Sequence, residues 1–179
     1  WPMVSDASCT PAPRTGAARG GRGAVARDAR WPRFWETFGE APQLVSDMGV
    51  AMVKGYQEGP APIAATLKHY VGYSRPLTGK DRTPAWIPER QLRQIFLPPF
   101  AAAIDAGAAS IMVNSGEVNG IPVHADHHIL TDILREDLGF EGMVVTDWED
   151  IKYLFKRHKV AACYKDAIEM AIHAGIDMS

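Results

Sequence analysis

The chain has 179 residues, enough for one domain with a substantial core and too few for two domains of ordinary size. Hydrophobic residues make up 46% of it and charged residues 22%, a balance typical of soluble globular proteins. The formal net charge of −2 and the shortness of every apolar run argue against nucleic acid and membrane as partners.

The first residues differ in composition from the rest of the chain. Residues 10–23 are rich in Gly, Ala, Pro and Arg and show neither helical nor strand periodicity, which is typical of a poorly packed segment. The stretch Gly21-Arg-Gly-Ala-Val-Ala fits a loose dinucleotide-binding fingerprint, but no apolar strand precedes it, so we reject that interpretation. We predict a poorly structured segment over residues 1–24 and one domain over residues 25–179.

Beyond Trp31 the sequence alternates between amphipathic helices and short apolar strands. Helices are predicted where apolar residues recur on one face, at residues 42–57, 88–106, 126–138 and 164–174. Strands are predicted at short unbroken apolar runs, at residues 63–71, 109–114, 142–146 and from 176 onward. Pro98-Pro99 is expected to kink or split the second helix.

The strand candidates carry apolar residues on both faces, so both faces must be buried. A parallel sheet covered by helices meets this requirement, and the fold class is therefore α/β. Two architectures fit the alternation: a doubly wound open sheet and a (β/α) barrel. Both place ligands at the carboxyl ends of the strands.

Polar residues are concentrated where three of the strand candidates end. They lie at Lys68-His69, at residues 114–117 and at residues 147–150. Because parallel strands present their carboxyl ends at one rim, we expect these side chains to converge on one pocket.

The residue types of this pocket suit a neutral ligand with many hydroxyl groups. The indole of Trp148 can lie against the apolar face of a sugar ring, and Lys68 and His69 can hydrogen-bond its hydroxyls. A carboxylate at Asp147, close to an anomeric carbon, can form a covalent glycosyl intermediate. This chemistry belongs to glycosidases that retain anomeric configuration.

Four segments resemble glycoside hydrolase family three, the family of many β-glucosidases. They are Arg30-Trp-Pro-Arg-Phe-Trp-Glu-Thr-Phe-Gly-Glu, Lys68-His-Tyr-Val-Gly-Tyr, Gly79-Lys-Asp-Arg-Thr-Pro-Ala-Trp-Ile-Pro-Glu-Arg and Gly139-Phe-Glu-Gly-Met-Val-Val-Thr-Asp-Trp, and Val123-His-Ala fits as well. The resemblance covers about residues 25–179. It implies a partial (β/α)8 TIM-type barrel, and it implies no cofactor and no metal.

The resemblance also implies roles for individual residues. Asp147 matches the catalytic nucleophile, and Trp148 matches the aromatic wall of the first sugar subsite. Lys68 and His69 match the adjacent pair that binds sugar hydroxyls.

Two arginines and one departure complete the implied site. Arg33 matches an arginine near the Lys-His pair, and Arg82 fills the place of a second sugar-facing arginine. Many relatives carry a tyrosine where Ser115 stands, so Glu117 is expected to supply a compensating polar contact. The histidine-bearing loop typical of N-acetylglucosaminidases is absent because the chain reads Lys68-His-Tyr-Val-Gly-Tyr, which favours glucoside-type substrates.

The implied substrate is a small or oligomeric β-glycoside. The general acid/base is implied to be a glutamate of a C-terminal domain outside this chain, so we expect the isolated chain to be inactive. The resemblance is compatible with a periplasmic or secreted protein, and residues 1–30 do not resemble a signal peptide.

Structural explanations stay open for the same residues. Asp147 can cap a helix, Lys68-His69 can form an ion pair at a strand end, Arg33 can stack on Trp31 and Trp35, and Arg82 can be an ordinary loop residue. His124, His127 and His128 have loose metal-ligand spacing, but a helix that begins near Asp126 explains them better.

Two other functional classes also remain. One is a catalytically inactive carbohydrate-binding or structural remnant of a glycosidase. The other is a metal-dependent barrel enzyme that uses Asp147, Glu149 and the histidines.

Overall fold

Four parallel strands form the main sheet of the computed structural model, which describes residues 19–179. In spatial order they are β1 (Arg19–Arg22), β2 (Ala65–Tyr70), β3 (Ser110–Val113) and β6 (Met143–Val145). A parallel bridge pairs Val145 with Met178 on the other side of β6. Strands β4 (Glu117–Val118) and β5 (Ile121–Pro122) form a small antiparallel hairpin in the loop after β3.

The strand order decides between the two predicted architectures. Each strand of the main sheet lies beside the main-sheet strand that precedes it along the chain. The bridge from Val145 to Met178 extends this order on the far side of β6. A doubly wound sheet reverses its strand order at a switch point, whereas a (β/α) barrel adds every strand on the same side. The described strands do not close into a cylinder, so the fold is part of a barrel, as predicted.

Helices connect the strands and cover the sheet. The longer ones are α1 (Pro42–Gln57), α3 (Pro98–Asp105), a π-helical segment (His128–Asp137), α4 (Asp150–Lys156) and α5 (Tyr164–Ala174). The short helix α2 (Glu89–Gln91) continues into a π-helical turn (Leu92–Phe96), and 3-10 turns lie at Phe34–Glu36 and Val123–Ala125. Within the described range, no helix combines the length and the apolar character that crossing a bilayer requires.

The core lies between the strands and these helices. Leu67, Ile111 and Val144 come from three adjacent strands, and all three are fully buried. The ring of Tyr70 meets Phe100 of α3 edge-on at 5.1 Å, and its hydroxyl donates to the carbonyl of Ile129 at 3.2 Å. These contacts explain why the predicted strands have apolar residues on both faces.

One sequence prediction about the helices is confirmed in detail, and two other predictions differ from the structure. The helix predicted at 88–106 divides before Pro98, as the two prolines suggested, because a proline nitrogen cannot donate to the helical ladder. The strand predicted from Ile176 is reduced to the single bridge at Met178. The predicted poorly structured segment contains the strand Arg19–Arg22, and its first 18 residues lie outside the described range.

Gly23, the residue directly after β1, has a structural role. The Gly23 amide donates to the carbonyl of Lys68 at 3.2 Å, which extends the pairing of β1 with β2. A Cβ atom at Gly23 would lie 2.8 Å from the ring of Phe100. The absence of a side chain lets the backbone approach the core here, and periodicity of apolar side chains could not reveal it.

A buried polar cluster lies beneath the carboxyl ends of β3 and β6. Ser115 Oγ, His124 Nε2 and both carboxylate oxygens of Asp150 are buried and form no hydrogen bond of regular geometry among the described residues, although the Ser115 hydroxyl lies close enough to the Asp150 carboxylate to lower its pKa. His124 Nε2 lies 3.6 Å from Asp150 Oδ2. Burial, together with the neighbouring His158, lowers the pKa of His124 from 6.5 to about 3, and burial raises the pKa of Asp150. Burial thus favours the neutral form of both groups.

The low pKa of His124 makes folding stability depend on pH. The unfolded chain binds a proton at His124 near pH 6.5 and the folded chain does not, so stability falls as pH decreases below that value. Between about pH 7.5 and about pH 5.5, the free energy of unfolding should fall by about 1.4 kcal/mol more in the unsubstituted protein than in His124→Gln. Urea unfolding at the two pH values measures this difference.

His128 provides a control of opposite sign. Its hydrogen bond to Asp132 raises its pKa, so its protonation stabilises the folded state as pH decreases. His128→Gln should therefore lose more stability over the same interval than the unsubstituted protein. Equal pH dependence in all three proteins would show that His124 is not buried in its neutral form.

Candidate active site

The predicted site residues lie at the carboxyl ends of adjacent strands. Lys68 and His69 belong to β2, Glu117 follows β3, and Asp147 follows β6. The register between β2 and β3 shifts between Lys68 and Tyr70, which locally interrupts the regular pairing. Parallel pairing of these strands brings all three positions to one rim, as predicted.

Asp147 is held through both of its carboxylate oxygens. Arg82 Nη2 donates to Asp147 Oδ2 at 2.6 Å, and the backbone amide of Trp148 donates to Oδ1 at 2.7 Å. The carboxylate is only partly exposed. The helix-capping explanation for Asp147 is wrong, since α4 begins at Asp150 and Glu149 occupies the capping position.

Arg82 reaches Asp147 from the long loop between β2 and α2. Its backbone has a φ of 56°, a left-handed conformation that a non-glycine residue adopts only when its surroundings hold it. The side chain also lies within hydrogen-bonding reach of the Tyr73 hydroxyl. Arg82 therefore has a defined place at the site and is not an unconstrained loop residue.

Arg33 also contacts Tyr73. Its Nη1 donates to the Tyr73 hydroxyl at 3.1 Å, and its guanidinium forms an ion pair with Glu36 at 2.9 Å. The guanidinium carbon lies 5.5 Å from the centre of the Tyr73 ring. The predicted stacking partners, Trp31 and Trp35, are thus replaced by Tyr73.

His69 packs against the same tyrosine. The two ring centres are 4.5 Å apart, and the imidazole is buried. Burial, with the positive charges of Arg33 and Lys68 nearby, lowers the pKa of His69 well below 6.5. The imidazole is therefore neutral near pH 7 and offers one donor and one acceptor nitrogen. Arg33, Lys68 and His69 also line one small cavity of about 20 Å³.

Tyr73 connects these residues, and the sequence did not single it out. The residue is buried, and burial together with the Asp81 carboxylate raises the pKa of its phenol. Trp31 Nε1 donates to Asp81 Oδ1 at 2.9 Å, which fixes that carboxylate. Tyr73 closes the Lys68-His-Tyr-Val-Gly-Tyr segment, so its position in that motif was the available signal.

Trp148 stands at the mouth of the site. Its side chain is 83% exposed, although its backbone amide is bound to Asp147. An indole this exposed offers a flat apolar surface beside the carboxylate.

Glu117 has a different partner from the residues around Tyr73. Its Oε1 is 2.5 Å from His158 Nδ1, and the His158 side chain is 7% exposed. This contact joins the Glu117 loop to the segment after α4, which carries His158.

The histidines near Asp126 serve structural roles. Asp126 Oδ1 accepts the amide of Ile129 at 3.1 Å, so it caps the helix, as predicted. His127 and His128 both contact Asp132. Across residues 19–179 no group of three or more His, Cys, Asp or Glu side chains is arranged to hold a metal ion.

The site thus combines one oriented carboxylate with several hydrogen-bond donors. Asp147 can act as a nucleophile toward an electrophilic carbon, and Arg82 balances its charge. Arg33, Lys68 and His69 can bind hydroxyl groups next to it, and Trp148 can stack on a ring. This is the set of functions that a sugar-cleaving site needs from one side of its substrate.

Solved structures share this fold. A β-glucosidase of Erythrobacter marinus has a TM-score of 0.86 and 39% identity, over 91% of this chain and 23% of that chain. A β-glucosidase of Listeria innocua in complex with glucose has a TM-score of 0.84 and 33% identity, over 88% of this chain and 23% of that chain.

Curated proteins give the same result at the level of sequence. A lysosomal β-glucosidase of Dictyostelium discoideum is 55% identical over 159 residues, which are 83% of this chain and 19% of that protein. A periplasmic β-glucosidase of Salmonella typhimurium is 39% identical over 159 residues, 87% of this chain and 21% of that protein. The chain spans about a fifth of the length of these relatives.

The family model described as Glycosyl hydrolase family 3 N terminal domain matches residues 23–179. The match includes the strand ends that carry Lys68, His69 and Asp147 and the loop that carries Arg82. The resemblance stated from sequence motifs is thereby confirmed, and the chain belongs to glycosyl hydrolase family 3, with residues 23–179 matching part of its N-terminal barrel domain.

Proposed function

We propose that this chain supplies the nucleophile and most of the sugar-binding side of a retaining β-glucosidase. The observation that supports the proposal most directly is the Asp147 carboxylate, held at the strand rim by Arg82 and by the Trp148 amide. The names of the similar proteins from Dictyostelium discoideum and Salmonella typhimurium point to β-glucosides as the substrate class.

In the proposed reaction a carboxylate oxygen of Asp147 attacks the anomeric carbon of the substrate. The bond from that carbon to the leaving oxygen breaks, and the leaving oxygen takes a proton from a general acid. Water, deprotonated by the same group, then attacks the glycosyl–enzyme ester and releases the sugar with its original configuration. We propose that the acid is a glutamate of a second domain, about 5 Å from Asp147 as in retaining glycosidases generally.

Arg82 and the Trp148 amide have a defined role in this reaction. Their hydrogen bonds fix the plane of the carboxylate, so one oxygen can face the anomeric carbon without rotation of the side chain. The guanidinium also compensates the charge that the carboxylate carries before attack and after the ester is hydrolysed.

The remaining residues are proposed to bind the sugar. Lys68 and Arg33 donate hydrogen bonds to hydroxyl oxygens, and neutral His69 can both donate and accept. Trp148 offers its exposed face to the apolar side of a pyranose ring. A contact between Glu117 and a sugar hydroxyl stays a prediction, because its carboxylate is paired with His158.

Removing the nucleophile tests the proposal. In protein expressed from its complete reading frame, Asp147→Asn should lower kcat for an aryl β-glucoside by at least about 1,000-fold, since the amide cannot form the glycosyl ester. The matched control is Glu149→Gln, which changes a neighbouring exposed carboxylate paired with Lys152 and should leave kcat within about twofold.

Covalent trapping identifies the nucleophile independently. A 2-deoxy-2-fluoro β-glucoside with a good leaving group should label the active protein, and peptide mass spectrometry should place the sugar on Asp147. Turnover with the label on another residue would reject Asp147. Sugar binding without turnover or labelling would instead favour the catalytically inactive remnant.

Replacing Arg82 tests its role in orienting Asp147. Arg82→Gln should lower kcat/KM for the same substrate by about 100-fold, because the Asp147 carboxylate loses the partner that orients it. Arg82→Lys keeps the charge but has a different donor geometry, so its activity should lie between those of the other two proteins. Unchanged kcat/KM in Arg82→Gln would remove Arg82 from the proposed site.

A further inference from the structure

Two consecutive residues after α4 reach two different loops of the site. Arg157 Nη2 donates a hydrogen bond to the backbone carbonyl of Arg82, in the loop after β2. His158 Nδ1 lies 2.5 Å from Glu117 Oε1, in the loop after β3. Since Arg157 and His158 themselves follow β6, this pair connects the loops of three neighbouring strands.

The backbone presents both side chains in fixed directions. The amides of Arg157 and His158 both donate to the carbonyl of Tyr153, which ends α4 at this point. Lys159 then turns the chain with a φ of 60°. The two side chains therefore leave a tightly bonded turn, which limits the number of positions they can adopt.

The contact between His158 and Glu117 is largely shielded from water. The side chains are 7% and 23% exposed, so solvent screens the contact less than it screens a surface ion pair. His158 also lies near the buried His124 and Asp150, whose pKa values respond to it. His158 is thus a polar residue near both the rim loops and the buried polar cluster.

Arg157 contacts Arg82, a residue whose backbone is already constrained. Arg82 has left-handed backbone geometry, its side chain binds Asp147, and its carbonyl accepts the bond from Arg157. A residue in this conformation returns to ordinary geometry unless its neighbours hold it. Arg157 and Asp147 thus hold Arg82 from opposite ends.

We propose that Arg157 and His158 are positioning residues that fix the Arg82 and Glu117 loops against the strand end that carries Asp147. The inference rests on the proposed function of Asp147. Neither residue needs to touch the sugar, because Arg157 acts through Arg82, and His158 acts through Glu117 and the hairpin that begins there.

Kinetics of paired variants test the proposal in protein expressed from its complete reading frame. Arg157→Met removes the donor, and Arg157→Lys retains one. His158→Leu removes the donor to Glu117, and His158→Asn retains a donor near the position of Nδ1. We expect Arg157→Met and His158→Leu to lower kcat by about tenfold or more with KM within about twofold, and the conservative variants to restore most of the loss.

Arg135→Ala is the control for a general loss of stability. Arg135 also donates to backbone carbonyls, those of Phe140 and Gly142, and it forms an ion pair with Asp177. The two carbonyls lie before β6, at the opposite end of that strand from Asp147, and the ion pair joins Arg135 to the segment that pairs with β6. Arg135→Ala should lower the melting temperature at least as much as Arg157→Met and leave kcat within about twofold.

Hydrogen exchange gives a second readout that does not depend on activity. The amides of Leu77 and Gly79 are bonded within the Arg82 loop, and those of Ala85 and Asn119 join this loop to the hairpin. They should exchange faster in Arg157→Met and His158→Leu, and not in Arg135→Ala.

Unchanged exchange at these amides, or unchanged kcat in both variants of an active protein, would overturn the inference. Absence of turnover in the unsubstituted protein, with the expected change in exchange, would instead reject the proposed function and leave the positioning role standing. The two failures are therefore distinguishable.

Discussion

The parallel pairing of β2, β3 and β6 is the constraint on which the site depends. It sets the ends of three strands at one rim, although the residues there are separated by tens of positions in the chain. The loop after each strand then only has to place one or two side chains. Arg82 shows what this requires, since a left-handed backbone conformation and contacts at both ends of the residue direct its guanidinium to Asp147.

The barrel segment could be predicted from the sequence because its signal is periodic. The helix at residues 42–57 has the predicted bounds, and three of the four predicted strands begin and end within two residues of their predicted ends. Strand β1 was missed because its residues, Arg-Gly-Gly-Arg, include no apolar side chain, and Gly23 has no side chain to indicate its close packing against Phe100. Strand prediction relies on side chains, so it fails where the backbone itself makes the contact.

Most residues of the candidate site could be predicted from the sequence, but the contacts among them could not. Asp147, Lys68 and His69 follow from their places at strand ends, but nothing in their spacing indicates that Arg33 and Arg82 meet at Tyr73. Glu117 is paired with His158, 41 positions later in the chain. Such long-range pairs depend on how loops fold over the rim, and local periodicity holds no information about that.

Several residues of the site contact Tyr73, and this limits how the site can change during evolution. Arg33, Arg82, His69 and Asp81 all meet one phenol, so a substitution at any of them alters the surroundings of the others. The energetic effects of such substitutions are not additive. A replacement tolerated in one lineage can therefore be harmful in another. We expect substitutions at these positions to be correlated.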